Sequence, residues 1–315
     1  MGDLQACNLR KAVISENQPL IIDSFPERDS KKKRVFESVK MSVCIVVIKI
    51  ANTDEPFYVN FWDDKNKVSG TQTSFTRKDI ADIDPVSYTI PRIERKHKQL
   101  VLKLKKFNSL PLKCYEGELN MTFHKKFFSE DKCNPKILKG ASVQRYYITE
   151  NMSQGVIEYL DEKAYLKENS GEKSEHHKLE RVAMQGMTGA NDKVRIIMSI
   201  VPEGYYLANS CNYLIPNVDM PSKYLVGLMN SKVINWFFRR FSTNSNVNGY
   251  EVEQFPIPNV TKQDKKTIAS KVDNILNCKR LSLNADTKII EEEIDSIVYR
   301  LFGLSNKEIE IVESE

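Results

Sequence analysis

Asparagine, arginine and tyrosine residues are concentrated between positions 239 and 250. They are Arg239, Arg240, Asn244, Asn246, Asn248 and Tyr250. An asparagine amide can make paired hydrogen bonds with the major-groove edge of adenine, and an arginine guanidinium can bind guanine or a phosphate. The segment therefore has side chains suited to contact with a nucleic acid. The same composition also fits an ordinary polar turn, because asparagine, serine and glycine are common in turns.

A predicted helix precedes this polar segment, and a proline-rich turn follows it. Apolar residues recur at intervals of four, as they do on one face of a helix, at Leu225, Met229, Val233, Phe237 and Phe241. Two arginines near the end of the helix suit the negative end of its dipole. The turn FPIP at 255–258 then restricts the path of the chain. These elements would give the polar segment a reproducible position.

A second group of polar and aromatic residues lies upstream. Arg145 is followed by Tyr146 and a second tyrosine, a combination that can contact a phosphate, a sugar or a base. A strand with one buried tyrosine explains the same residues equally well. His176 and His177 are adjacent to glutamates, but neighbouring histidines point in different directions and no third ligand is close in sequence. A polar loop is therefore favoured over a metal site.

Several longer segments occur in a fixed order along the chain. They are GELNMT at 117–122, LKGASVQRYY at 138–147, RVAMQGMTG at 181–189, ANSCNY at 208–213, YLVGLMNSK at 224–232 and the stretch 241–258. Together they resemble the C-terminal specificity domain of Taq-type adenine-specific DNA methyltransferases and of the related fused type II restriction–modification enzymes. The residues up to about 50 resemble the last strands of the methyltransferase domain in the same family. The resemblance therefore covers almost the whole chain.

The resemblance implies sequence-specific recognition of double-stranded DNA. The residues that we expect to contact DNA are Arg145, Tyr146, Arg181, Gln185, Thr188, Asn209, Ser210, Lys232, Arg239, Arg240, Asn244, Asn246, Asn248 and Tyr250. The Gln185–Gly189 turn and the 242–250 segment are expected to contact bases. Arg239 and Arg240 are the candidates for contact with the DNA backbone.

The family's catalytic motifs do not occur in this sequence. The cofactor loop and the Asn-Pro-Pro-aromatic motif are missing, and Asn134-Pro135 lacks the second proline and the aromatic residue that would stack on a flipped base. We therefore predict no catalytic, cofactor-binding or metal-binding residue in this chain. S-adenosylmethionine is expected only for the complete family enzyme. A separate catalytic methyltransferase or nuclease polypeptide is an expected candidate partner.

The predicted fold class is α+β: the end of an α/β methyltransferase sheet, then a mixed α/β DNA-recognition domain with C-terminal helices. The predicted divisions are 1–62 for the methyltransferase-like strands, 63–110 for a linker and a basic helix, 111–260 for the target-recognition domain, and 261–315 for helices that pack on it. The apolar, β-branched run at 43–50 predicts a strand covered on both faces. A lysine-rich helix is predicted from Pro91 onward.

An enzymatic alternative rests on Asp84 and the sequence Glu94-Arg95-Lys96. Metal-dependent nucleases hold Mg²⁺ with carboxylates and place a lysine near the attacked phosphate. Glu94, however, stands at the start of a predicted helix, where acidic residues are favoured in any case. A fragment with metal-dependent endonuclease activity is thus the second interpretation of the sequence.

The composition is that of a globular protein with a modest positive charge. A length of 315 residues allows one large or two ordinary domains, and the net charge of +5 fits a nucleic-acid partner without requiring one. No apolar run approaches the ~20 residues of a membrane span, and the N-terminus has no signal-peptide pattern. The six cysteines are scattered and form no CxxC pair. This spacing favours reduced thiols and a cytoplasmic location over disulfides or zinc.

Overall fold

The computed structural model describes residues 6–25, 27, 30–39, 41–51, 53–152, 155–189, 192–242 and 245–314. The chain divides into two compact units. Unit 1 contains Met1–Asn108 and Arg239–Ser245, and unit 2 contains Ser109–Phe238 and Asn246–Glu315. The helix Lys232–Phe241 therefore contributes residues to both units. The predicted mixed class of helices and sheets is confirmed.

Unit 1 contains a four-stranded mixed sheet with strand order β2-β1-β3-β4. The strands are β1 (Gln18–Phe25), β2 (Val43–Lys49), β3 (Phe57–Asp64) and β4 (Lys67–Phe75). β1 pairs with β3 in parallel and with β2 in antiparallel orientation, and β3 pairs with β4 in antiparallel orientation. The helical segments of this part are α1 (Cys7–Lys11), the π-helix Ala12–Glu16, the 3₁₀ turns Lys31–Lys33 and Arg95–His97, α2 (Arg77–Ile83) and α3 (Lys98–Leu104).

One face of this sheet forms the core of unit 1. Its buried side chains include Ile22 of β1, Phe57 and Val59 of β3, and Phe75 of β4. Isoleucines of α2 and leucines of α3 are buried in the same unit. The helix of the basic segment does not begin at Pro91. The backbone of Glu94 is extended, and the helical turns start after it, with the 3₁₀ turn Arg95–His97 followed by α3 from Lys98.

The predicted strand at 43–50 is present as β2, but the prediction that both its faces are covered is wrong. β2 is an edge strand, and among the residues that the structure describes no strand pairs with its outer edge. Ile45 is 55% exposed and Val47 is 48% exposed. An apolar, β-branched run shows that a strand is suited to burial, but the elements that pack against the strand determine whether it is buried. The sequence of β2 does not contain that information, and the prediction therefore failed.

The stretch predicted as a linker, from 63 onward, contains regular structure and is corrected here. β4 extends the first sheet, and α2 follows it with a complete capping box. Thr76 accepts the Asp79 N–H, and the Asp79 carboxylate accepts the Thr76 N–H at 2.6 Å. β4 has few apolar residues, and its lysine, serines and threonines make the sequence look like a loop. The 63–110 region is thus part of unit 1 up to Asn108.

Unit 2 contains two four-stranded sheets. The first has the order β14 (Tyr206–Leu207), β8 (Lys136–Leu138), β11 (Glu158–Leu160), β7 (Phe128–Ser129), and the second has the order β13 (Met198–Val201), β12 (Arg181–Gln185), β15 (Cys211–Leu214), β6 (Cys114–Glu116). β9 (Val143–Gln144) pairs with β10 (Tyr147–Ile148). The remaining short strands are β5 (Asn108–Ser109) and β16 (Pro256–Ile257).

Several helices surround these sheets. The α-helices are α4 (Glu162–Glu168), α5 (Ser222–Met229), α6 (Lys232–Phe241), α7 (Gly249–Val252), α8 (Lys262–Leu281), α9 (Lys288–Leu301) and α10 (Asn306–Glu313), and the 3₁₀ turns are Lys125–Phe127, Gly140–Ser142 and Glu172–Lys178. α5 and α8 approach closely at Gly227, where a Cβ atom would lie 2.5 Å from Ile268 Cγ2. Glycine permits this approach because it has no side chain.

The single helix predicted from Leu225 to Phe241 is two helices, α5 and α6. Asn230, between them, turns its side chain to the backbone of β13: its Oδ1 accepts the Met198 N–H at 3.0 Å, and its Nδ2 donates to the Met198 carbonyl at 2.9 Å. Asp295 of α9 then accepts the N–H of Lys232, the first residue of α6, at 2.8 Å. These tertiary hydrogen bonds explain why an uninterrupted apolar periodicity does not give one helix.

Asp295 is the basis of a pH-dependent prediction for the stability of this arrangement. Burial raises the pKa of Asp295 to about 6, although the Lys232 N–H and nearby cations oppose the shift. Between about pH 4 and pH 6, Asp295 keeps its proton in the folded protein but loses it in the unfolded chain. The contribution of this carboxyl group to the free energy of unfolding therefore decreases as the pH rises through this range.

We expect the wild-type free energy of unfolding, relative to that of Asp295→Asn, to fall by about 2 kcal/mol between pH 4 and pH 7. The amide oxygen of the introduced asparagine can still accept the Lys232 N–H, and the other titrating groups are common to both proteins. Urea unfolding at each pH measures the difference. Parallel pH profiles of the two proteins would contradict the assignment.

Candidate nucleic-acid interface

The Gln185–Gly189 turn and residues 246–250 of the second segment predicted to contact bases lie side by side in unit 2. Met187, in the turn after β12, and Asn246, before α7, form an antiparallel bridge. The Val247 N–H donates to the Gly186 carbonyl at 3.0 Å. Asn212 of β15 donates from its side-chain amide to the Val247 carbonyl. The fold thus joins two segments that are far apart in the sequence into one pair, which we call the paired segments (185–189 and 246–250).

Arg195 connects the paired segments through its buried side chain, which is only 2% exposed. Its Nε donates to Thr188 Oγ1 at 2.7 Å, and its Nη2 donates to the Asn246 carbonyl at 3.4 Å. The guanidinium carbon lies 5.0 Å from the ring centre of Phe238 in α6. Arg195 was missed in the sequence analysis. An arginine preceded by Val194 and followed by two isoleucines gives no signal of a tertiary contact.

Asn235 fixes the backbone on which Arg195 stands. Its Oδ1 accepts the N–H groups of Arg195 and Ile196 at 2.7 and 3.2 Å, and its Nδ2 donates to the Lys193 carbonyl at 2.6 Å. Asn235 belongs to α6, so this helix determines where the chain between β12 and β13 runs. Three hydrogen bonds from one amide leave this backbone little freedom.

Ser210 borders the paired segments on the side of the 140–144 turn. Its carbonyl accepts the Gly186 N–H at 2.8 Å, and its Oγ accepts the Gly140 N–H at 2.9 Å. A Cβ atom at Gly186 would lie 2.9 Å from the Ser210 carbonyl oxygen, closer than backbone and side chain normally approach. Gln185 donates from Nε2 to the Val143 carbonyl at 2.7 Å. Three stretches of backbone therefore meet at this point.

The polar segment contains an internal cap at Asn248. The Asn248 N–H donates to Glu251 Oε2 at 3.0 Å, and its Nδ2 donates to the same oxygen at 2.8 Å and to the Tyr250 hydroxyl at 3.3 Å. Burial raises the pKa of Glu251, and the hydrogen bonds from Asn248 and the charge of Arg195 oppose the shift. The side chain of Asn248 thus makes hydrogen bonds within its own turn, as the polar-turn interpretation predicts. Asn244 lies outside the described residues.

The predicted DNA contacts differ in accessibility. Asn246 and Ser210 are exposed, Gln185, Asn209, Asn248 and Tyr250 are partly exposed, and Thr188 is buried under Arg195. In unit 1, Arg239 is partly exposed, whereas Arg240 is buried and its carbonyl accepts the Arg92 N–H at 2.6 Å. The accessible part of the paired segments thus consists mainly of amide and hydroxyl groups, with Met187 beside them.

Arg181 and Tyr146 belong to the core of unit 2. The Arg181 guanidinium is fully buried, pairs with Glu118 and donates to the Tyr205 carbonyl. Glu118 also accepts the Leu207 N–H at 2.9 Å, so this ion pair connects β12 in one sheet with β14 in the other. Tyr146 is buried as well, and burial raises the pKa of its hydroxyl. Neither side chain can reach DNA without a rearrangement of the core.

Arg145 and Lys232 each form an ion pair with a glutamate of the C-terminal helices. Arg145 Nε lies 2.5 Å from Glu291 Oε2, and Lys232 Nζ lies 2.7 Å from Glu313 Oε2. Both side chains line a cavity of about 320 Å³ next to Asp295. The Arg145 pair joins the turn between β9 and β10 to α9, and the Lys232 pair joins α6 to α10. The partners of both residues therefore indicate structural roles.

The carboxylates of the nuclease alternative serve local backbone structure. Asp84 accepts the N–H groups of Val86 and Ser87 at 3.2 and 2.8 Å. Burial alone raises the pKa of Asp84, but these hydrogen bonds and the charge of Lys105 lower it below its ordinary value. The described residues contain no group of three or more histidines, cysteines or carboxylates that could hold a metal ion. Within the same residues, no helix is long and apolar enough to cross a membrane.

Comparisons with known proteins place the paired segments within a known domain type. Residues 135–257 match the family model of the TaqI-like C-terminal specificity domain. Arg195, Ser210 and both paired segments lie inside this range. The predicted resemblance is thereby confirmed for these residues. A search of curated proteins gives no match to the chain.

A solved restriction–modification enzyme has a similar fold. The type IIL restriction–modification enzyme MmeI, solved in complex with DNA, matches with a TM-score of 0.55 and 12% identity over 93% of this chain and 44% of that chain. The type IIG restriction endonuclease BpuSI matches with a TM-score of 0.39 and 10% identity over 95% of this chain and 46% of that chain. The chain thus spans less than half the length of either enzyme.

Replacement of Arg195 should loosen both paired segments. Arg195→Met keeps the length of the side chain but leaves the buried Thr188 hydroxyl and the Asn246 carbonyl without this donor. Hydrogen bonds from charged groups contribute about 1.5–3 kcal/mol each, and we expect a loss of about 3 kcal/mol in the free energy of unfolding. Urea denaturation measures this loss. Lys193→Met, at an exposed position two residues away, is the matched control and should change stability by less than about 0.5 kcal/mol. Equal stabilities of the two variants would refute the role of Arg195.

Proposed function

We propose that this chain supplies sequence-specific recognition of double-stranded DNA within a type II restriction–modification system. The observation that carries the proposal is the pairing of 185–189 with 246–250 inside a region that matches a specificity-domain family. The fold similarity to MmeI, which was solved with DNA, supports it. Adenine as the modified base is a further part of the proposal, and it rests on the resemblance alone.

In this proposal, the accessible polar groups of the paired segments contact base edges. Asn246 is the leading candidate because it is exposed and its backbone is fixed on both sides, by the Met187 bridge and by Arg195. Gln185 and Ser210 lie at the margin of the same surface. A surface whose backbone is fixed before binding loses little conformational entropy when DNA binds. Arg239 would contact a phosphate, which positions the protein without selecting a sequence.

The decisive experiment is selection of bound sequences from a random DNA pool with the purified chain. We expect enrichment of one sequence. Asn246→Ala should lose about 1–3 kcal/mol of binding free energy on that sequence and much less on random DNA, where phosphate contacts dominate. Asn284→Ala replaces an exposed asparagine between α8 and α9, and it should change neither affinity. A pool that shows no enrichment would overturn the proposed function. An unchanged ratio of affinities in Asn246→Ala would remove Asn246 from the recognition surface.

The exposed face and edge of the first sheet support the proposal of a catalytic partner. On the face away from the core of unit 1, the strand register places Ile21 of β1 between Val47 of β2 and Tyr58 of β3. All three side chains are substantially exposed. Ile45 lies two residues before Val47 on the same face of β2, which is the edge strand of the sheet. Large exposed apolar patches mark interaction sites, and an apolar edge strand readily pairs with another chain. We propose that a strand and a helix of a catalytic methyltransferase polypeptide cover this edge and face.

The proposed partner is tested by co-expression of this chain with the product of a neighbouring gene that carries the Asn-Pro-Pro-aromatic motif. The wild-type chain should copurify with that polypeptide, and the complex should transfer methyl groups to DNA in the presence of S-adenosylmethionine. Ile45→Lys combined with Val47→Lys should abolish copurification, because two charges would be buried unpaired. Val86→Lys, at another exposed apolar position of unit 1, should have no effect. Copurification of the double variant at the wild-type level would exclude β2 as the docking strand.

A further inference from the structure

Met187 is an exposed apolar side chain at the centre of the paired segments. Its side chain is 65% exposed, although its backbone is bridged to Asn246 and the preceding residue is held by Ser210. Val194, between β12 and β13 on the same connection, is also exposed. A single exposed methionine needs no explanation on an ordinary surface. Here, however, the backbone that carries the thioether is bridged to the residue that carries an exposed amide.

The bridge determines how the two side chains are arranged. Residues directly opposite each other in an antiparallel pair project to the same side, with Cβ atoms about 4.5–5.5 Å apart. Met187 and Asn246 therefore present an apolar group and an amide next to each other. This pair of groups can be compared with the chemical pattern of each base pair.

An A·T pair matches this arrangement better than a G·C pair. In the major groove, adenine offers an acceptor and a donor to an amide, and thymine offers an acceptor and its 5-methyl group. A G·C pair offers no methyl group. Accordingly, we propose that Met187 is a specificity-determining residue that packs against the 5-methyl group of a thymine in the recognised sequence, next to an adenine bound by Asn246. The inference rests on the proposed function and adds the base and the group that are contacted.

Replacement of thymine by uracil tests the inference, since it removes only the methyl group. In the sequence enriched by the wild-type chain, each thymine is replaced by uracil, one at a time, and the dissociation constants are measured. We expect one position at which the wild type binds roughly fourfold more weakly, the effect of one buried methyl group. At that position Met187→Ala should show almost no change on replacement. Met187→Leu, which keeps an apolar side chain, should retain most of the wild-type effect.

Met41→Ala is the matched control, because Met41 is 74% exposed and lies in unit 1. It should keep the full sensitivity to uracil. Equal losses for the wild type and Met187→Ala at every thymine would overturn the inference while leaving the proposed function intact. A pool without any enriched sequence would overturn the proposed function and this inference with it. The melting temperature of Met187→Ala should match that of the wild type, which separates a lost contact from a lost fold.

Discussion

The candidate interface depends on one buried cation, Arg195. An arginine in the interior is stable only when its donors are satisfied, and two of the groups that satisfy them are the Thr188 hydroxyl and the Asn246 carbonyl. These acceptors belong to the two segments that the sequence predicts to contact bases. The requirement to satisfy the buried guanidinium therefore also fixes the distance between the segments. Phe238 covers the guanidinium from α6, so the same helix contributes to both the packing and the position of Arg195.

α6 transmits this constraint to the rest of unit 2. Asn235 holds the backbone at Lys193–Ile196, and Asp295 of α9 accepts the first N–H of the helix. The C-terminal helices thus stabilise the interface without lying in it. The regular apolar stripes in their sequence are the faces that these helices bury, as at Ile268, Val272 and Val298. A recognition surface that is supported in this way can present side chains at reproducible positions, which discrimination between bases requires.

The sequence singled out the two candidate segments but not the contacts that join them. Local periodicity was sufficient to predict helical structure near 225–241, and the resemblance pointed to 185–189 and 242–250. Arg195 could not be predicted, because its partners are remote in sequence and its immediate neighbours are apolar. β4 was missed because its polar residues resemble a loop, and the exposure of β2 was missed because burial depends on neighbouring strands. Tertiary contacts, which no local pattern contains, account for these differences.

Hydrogen exchange measured by mass spectrometry tests the central claim most directly, namely that 185–189 and 246–250 form one surface that binds DNA. The exchange of backbone amides is compared in the free chain, with the enriched DNA sequence and with random DNA of equal length. We predict that both segments gain protection together, at the same DNA concentration, and more strongly with the enriched sequence than with random DNA. Protection of only one segment, or of neither while other parts of unit 2 become protected, would contradict the account.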